Sequence, residues 1–190
     1  MTNMKSAFQV INRMVQDGVI ENYAVGGAVA ALNYIEPTLT GDLDILISVE
    51  NLRGSFPTGL VTLEPLYSYL RQAGYTEYKD EGIVIEGWPV QFLPVANPLD
   101  AESLSGAAEI EIPMGSGELP IIIRVLRPEH IVATALKISR PKDRIRINQF
   151  LQEKAVDIQA LRSVLERHDL QGKWVDFCKT SGIDDPLGLN

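Results

Sequence analysis

The sequence predicts a mixed α/β core followed by a helical C-terminal third, a class supported by three observations. Short β-branched runs alternate with helix-forming stretches through the first two thirds, apolar residues at helical spacing dominate the last, and no segment repeats another. With 190 residues and 45% apolar side chains, the chain can bury one sizeable core but not two large independent ones. The expected organisation is a core over residues 1–127, N-terminal helix included, with a helical region over 128–190 packed against it as one unit.

Met4, Phe8, Ile11 and Val15 recur at helical spacing and Gly18 follows as a C-terminal cap, so residues 3–17 read as an amphipathic helix. Tyr23-Ala24-Val25 is a short strand, Gly26-Gly27 breaks it, and Ala28 to Leu32 has helix-forming composition. After a loop containing Pro37, Thr38, Thr40 and Gly41, the apolar run Leu43 to Val49 reads as a buried strand. A second helix runs from Thr62, an N-cap, through Leu66 and Leu70 to Gly74. Tyr75 to Tyr78, Ile83 to Glu86 and Val90 to Leu93 are further strands.

Residues 94–118 show no clear period and read as a long loop with one short strand near Glu109 to Ile112. Leu119 to Leu126 is again a strand, and Pro128 opens a helix through Ile131, Val132, Ala135 and Leu136. One long last helix is marked by Leu151, Ile158, Leu161 and Leu165.

The net charge of −8 disfavours a surface that holds nucleic acid by general attraction to phosphates, so any such contact needs a local basic patch. A single cysteine, Cys178, cannot form an intramolecular disulfide, and no Cys/His cluster has zinc-site spacing. No apolar run has the length of a membrane span and the N-terminus carries no signal core, so a cytoplasmic, soluble protein without membrane contact is expected. Both histidines, His130 and His168, lack triad-like neighbours and read as structural, as do Trp88 and Trp174.

Asp42 and Asp44 carry the strongest chemical signal. Two apart at the head of a strand, they point to the same side, where two carboxylates repel unless a hard divalent cation such as Mg²⁺ or Mn²⁺ lies between them. Taken alone, such a pair also fits a solvated strand end. Gly26-Gly27 adds to it, since a strand, a glycine turn and a helix let a polyphosphate approach the backbone amides. Further on, Lys137, Arg140, Lys142, Arg144 and Arg146 place five cations in ten residues, opposed only by Asp143. That patch suits a triphosphate or an RNA backbone, or is a solvated helix end.

The run Val25-Gly26-Gly27-Ala28 through Thr40-Gly41-Asp42-Leu43-Asp44-Ile45 resembles the nucleotidyltransferase superfamily, and within it the small bacterial group related to AbiEii-type toxins. In that group a Gly-Gly turn and helix precede Arg-x-Thr-x-Asp-hydrophobic-Asp; here Thr38 stands where the arginine is often found. The resemblance continues loosely through Lys137, the basic run to Arg144, and Lys154 with Asp157, covering residues 20–167.

What this resemblance implies is a nucleotidyltransferase-like mixed sheet flanked by helices. Its activity would be Mg²⁺- or Mn²⁺-dependent transfer of a nucleoside monophosphate from a nucleoside triphosphate to a hydroxyl of RNA, protein or a small molecule. Asp42 and Asp44 would hold the metal; Gly26, Gly27, Thr40, Lys137 and Arg140 would contact phosphates; Asp157 would orient a group at the site.

One departure stands out. Members commonly carry a third carboxylate on a later strand, and the best-fitting strand here, Pro89 to Leu93, offers Gln91, an amide that cannot take a proton from a hydroxyl. Glu86 or Asp157 is the expected replacement. Alternatives are a nucleotide-binding or regulatory module without turnover, and an interaction protein of the toxin–antitoxin kind with a protein partner.

Overall fold

A computed structural model of the protein describes residues 4–37, 40–48, 62–114 and 118–189. It is a mixed α/β structure. Its strands are β1 (Tyr23–Val25), β2 (Leu43–Ile47), β3 (Tyr78–Lys79), β4 (Gly82–Ile85), β5 (Trp88–Pro94), β6 (Ala108–Ile112) and β7 (Ile121–Val125). Its helices are α1 (Met4–Gln16), α2 (Gly27–Ala31), α3 (Glu64–Gln72), α4 (Pro98–Ser105), α5 (Pro128–Ile138), α6 (Pro141–Gln152), α7 (Ile158–Arg167) and α8 (Gln171–Ser181). None is long and apolar enough to cross a membrane among the described residues.

The strands form one sheet in the order β3-β4-β5-β2-β1-β7-β6. Two pairings are parallel, β2 with β5 and β1 with β7; the remaining neighbours are antiparallel. The central strands β1 and β2 are buried at every position except Asp44, in keeping with two covered faces. The edge strand β6 instead alternates, Ala108-Glu109-Ile110-Glu111-Ile112, with both glutamates exposed, an arrangement that blunts an open edge.

Helix α1 buries Ala7, Phe8, Ile11 and Met14 and packs on β7. It ends as expected at Gly18, where Val19 N–H reaches back to the Met14 carbonyl at 2.9 Å. Helix α5 is apolar nearly all round, with His130, Ile131, Val132, Ala133, Ala135 and Leu136 buried, and so is enclosed. It touches α2, α4, α6, α7 and α8. A single cluster of buried side chains runs from Ala7 to Leu187 through all these elements.

Four expectations change. Residues 94–118 are not one loop: Asn97 caps α4 by accepting from Leu99 N at 3.1 Å and Asp100 N at 3.3 Å, with Pro98 at the first helical position. The long last helix is two. Lys154 takes a left-handed turn at φ 52, Ala155 N–H bonds the Phe150 carbonyl at 3.0 Å, and Asp157 then caps α7. Lys154 and Asp157 therefore do not share a helical face. The basic run after Lys137 lies largely in the helix α6, and α8 follows α7 with Trp174, Phe177 and Cys178 buried. The expected cap of α3 lies one residue further on, at Leu63, although the Thr62 hydroxyl still accepts from Glu64 N at 3.2 Å.

Candidate functional site

Asp42 and Asp44 stand at the head of β2, where the chain leaves a loop and joins the sheet's centre. Asp44 is anchored from behind: its carbonyl accepts from Gly26 N–H at 2.8 Å, which ties the glycine turn to β2. Gly27 adopts φ +58, and a Cβ built there would lie 2.9 Å from Asp44 Cγ. The missing side chain of Gly27 thus makes room for the Asp44 carboxylate, a different use of the glycine from an approach to phosphate. Thr40 Oγ1 donates toward Asp42 Oδ1 at 3.2 Å and also lies 3.2 Å from the Asp42 carbonyl.

Both carboxylates face a cavity with two lobes. One, of about 350 Å³, is bounded by Lys79, Asp80, Glu81, Gly82, Pro89 and Gln91. The other, of about 360 Å³, is bounded by Ala28, Thr40, Gly41, Ile145, Arg146 and Gln149. Asp42, Asp44, Arg140 and Lys142 line both, so the acid pair and two cations sit at the junction.

The electrostatics follow from that arrangement. Burial, and then the charge of Asp42, push the Asp44 carboxyl above the ordinary aspartate range, although Lys142, Arg140 and Arg146 pull the other way. The pair is a place where negative charge is held at a cost and added positive charge is favoured. Arg140 is fixed by the buried Asp143, which accepts from Arg140 Nε at 2.8 Å and from its backbone N–H at 3.1 Å. Asp143, chiefly through hydrogen bonding, and then Asp44 and Asp42 raise the Arg140 guanidinium further above its ordinary value.

Helical geometry sorts the five cations of the basic run. Lys142 and Arg146 are four apart and share the cavity face of α6 with Ile145 and Gln149. Arg144 points elsewhere: its guanidinium bonds Thr180, lies 3.3 Å from Ser181 Oγ and rests 5.5 Å from the Phe177 ring centroid. Lys137, exposed in the last turn of α5, lines neither lobe. Asp157 lines neither lobe as well; its carboxylate accepts from Ala160 N at 2.8 Å as the cap of α7. Thr38 lies outside the described residues.

The parallel register sets Gln91 of β5 directly beside Asp44, so the strand position expected from the resemblance to hold a third acid carries an amide. Glu86 does not compensate. It sits in the β4–β5 hairpin turn, accepts from the Tyr75 hydroxyl at 2.6 Å and lines neither lobe. The sequence reading missed Glu81, whose carboxylate accepts from Gln91 Nε2 at 2.8 Å. Its signal was the spacing of β3 and β4, since Lys79 pairs with Gly82 and leaves a two-residue loop, Asp80-Glu81.

Among the described residues no three acid, histidine or cysteine side chains converge as a metal cage. The donor set still fits Mg²⁺ in one form: an ion that arrives with a triphosphate needs only one or two protein carboxylates, the phosphates and water supplying the rest.

The histidines prove to be structural neighbours of each other. Glu102 of α4 takes His168 Nε2 at 2.7 Å, His130 Nε2 at 3.2 Å and Arg167 NH2 at 2.5 Å, joining α4, α5 and α7. The Arg167 hydrogen bond chiefly, with those of the histidines, holds the Glu102 carboxyl down at about 2. No protein-family model matches this chain, and comparison with curated proteins finds no similar sequence.

Proposed function

We propose that the protein is a Mg²⁺-dependent nucleotidyltransferase that moves a nucleoside monophosphate from a nucleoside triphosphate to a hydroxyl acceptor. One observation carries the reading: a pair of carboxylates, one of them made costly by burial and by its neighbour, faces Arg140, Lys142 and Arg146 across a cavity of nucleotide size. Carboxylates alone would repel a triphosphate, and cations alone would not hold a metal. Their juxtaposition suits a metal–triphosphate pair.

In this reading Asp42 and Asp44 hold Mg²⁺, which when bound neutralises charge on the phosphates and on departing pyrophosphate. Arg140, Lys142 and Arg146 bind phosphate oxygens. Thr40 steadies Asp42, and Gly27 leaves the space that lets Asp44 reach the cavity. The acceptor hydroxyl attacks the α-phosphorus while pyrophosphate leaves.

A second reading, a nucleotide-binding module without turnover, is favoured by the amide of Gln91 beside Asp44. Incubation with each α-labelled nucleoside triphosphate, Mg²⁺ and an RNA pool separates the two. Label transfer abolished by Asp44→Ala supports the enzyme. Saturable Mg²⁺-dependent binding without transfer supports the module, and absence of both removes either reading.

A further inference from the structure

We propose that Glu81, held by Gln91, is the base that takes the proton from the acceptor hydroxyl; the inference rests on the nucleotidyltransferase reading. Gln91 lies beside Asp44 in the parallel register and its amide donates to Glu81 Oε2 at 2.8 Å. The side chain next to the acid pair is thus a neutral arm whose donor end grips a carboxylate brought from the β3–β4 turn.

The turn that delivers Glu81 is fixed at both ends. Asp80 occupies the left-handed region at φ 54, which aspartate tolerates better than most residues and which reverses the chain within two residues. Gly82 packs against β5 so closely that a Cβ there would lie 2.9 Å from Val90 N and 3.1 Å from Pro89 C. Any larger residue at 82 pushes the hairpin off β5 and carries Glu81 away from Gln91.

The two lobes differ in charge, which divides the substrates between them. The lobe on the α2–α6 side has Arg140, Lys142 and Arg146 against Asp42 and Asp44, and suits the triphosphate. The lobe on the hairpin side adds Asp80 and Glu81 and only Lys79, and suits the acceptor. In this proposal Asp42 and Asp44 serve the metal and Glu81, on the acceptor side of the cavity, serves the hydroxyl. In the step, the acceptor oxygen bonds to the α-phosphorus and its proton passes to the Glu81 carboxylate. The bond from the α-phosphorus to the bridging oxygen breaks, and its electron pair leaves with pyrophosphate. Gln91 touches neither substrate in this scheme; it positions Glu81.

The test compares wild type, Glu81→Gln, and the double variant Glu81→Gln/Gln91→Glu, which moves an acid to the strand position beside Asp44. Two readouts are needed: calorimetric binding of the four nucleoside triphosphates with Mg²⁺, and single-turnover transfer of α-label to an RNA pool. Glu81→Gln should bind nucleotide within about twofold of wild type yet transfer it roughly 10²- to 10⁴-fold more slowly, and the double variant should regain at least about tenfold. Transfer by Glu81→Gln at the wild-type rate, or no recovery in the double variant, overturns the assignment to Glu81 and leaves the nucleotidyltransferase reading standing. Wild-type protein that binds nucleotide without transferring it, or binds none, overturns both.

Discussion

Gly27 and Asp44 are matched in space: a Cβ at Gly27 would lie 2.9 Å from Asp44 Cγ and nearer still to Oδ2. The glycine turn and the acid pair, sixteen positions apart in the chain for Gly26 and Asp42, are therefore one structural unit. Gly26 donates to the Asp44 carbonyl at 2.8 Å, and Gly27 clears the way for its carboxylate.

That match predicts opposite fates for the two glycines. Gly27→Ala meets both a φ of +58 and the Asp44 carboxylate, and should lower stability by on the order of 1–3 kcal/mol. Gly26→Ala meets only contacts of 3.6 Å and longer at a negative φ, and should cost less than about 1 kcal/mol. Urea unfolding of the two variants checks this; equal losses contradict it.

Asp44→Asn should stabilise the fold at neutral pH. The folded-state carboxyl sits above its ordinary value because burial and Asp42 outweigh the three nearby cations. An acid raised on folding binds more protons in the native than in the unfolded state, so its contribution to stability falls as pH rises through the folded pKa. Above that point the penalty is complete, and asparagine removes it. The unfolding midpoint of Asp44→Asn should exceed that of wild type at pH 7, with the gain shrinking toward acid pH. Such a gain on removing a site carboxylate is the usual sign of a site that trades stability for function.

Glu102 should show the reverse dependence. Its folded pKa, lowered from 4.5 to about 2 by Arg167 and the two histidines, means that its contribution is fully present above 4.5 and lost as pH falls toward 2. Glu102→Gln should therefore flatten this part of the stability–pH curve and lower stability at pH 7. Parallel curves for wild type and variant through that window would contradict the assignment.

Asp143→Asn tests how the basic arm is held. The Asp143 side chain is 1% exposed and anchors both the backbone and the guanidinium of Arg140, so loss of its charge should destabilise by on the order of 1–3 kcal/mol. Arg140 should then hold phosphate less well. Thermal unfolding and inorganic triphosphate binding measure the two effects.

The first half of the fold was legible because its elements carry single, strong signals: the helical spacing of Phe8 and Ile11, the glycine turn, and the apolar run of β2. Helix α4 was not, since it buries only Leu99, Ser103 and Leu104 and begins at an Asn-Pro pair that also suits a loop. Helices α6 and α7 merged in the reading because the break between them falls at Lys154, whose left-handed turn leaves no glycine or proline in the sequence. At the site, local order exposed Asp42, Asp44, Thr40 and Arg140. Glu81 escaped because the spacing of β3 and β4 marks only the two-residue loop, while its place beside Gln91 depends on a side-chain hydrogen bond to β5.

The most direct measurement is equilibrium binding of each labelled nucleoside triphosphate, with and without Mg²⁺, to wild type, Asp44→Ala and the double variant Lys142→Ala/Arg146→Ala. Joint recognition of metal and phosphates by the two walls of the cavity predicts saturable, Mg²⁺-dependent binding. Asp44→Ala should abolish it, and the double variant should weaken it by roughly tenfold or more. Absence of binding to wild type, or binding indifferent to both variants, would contradict a metal–nucleotide site between Asp42, Asp44 and α6.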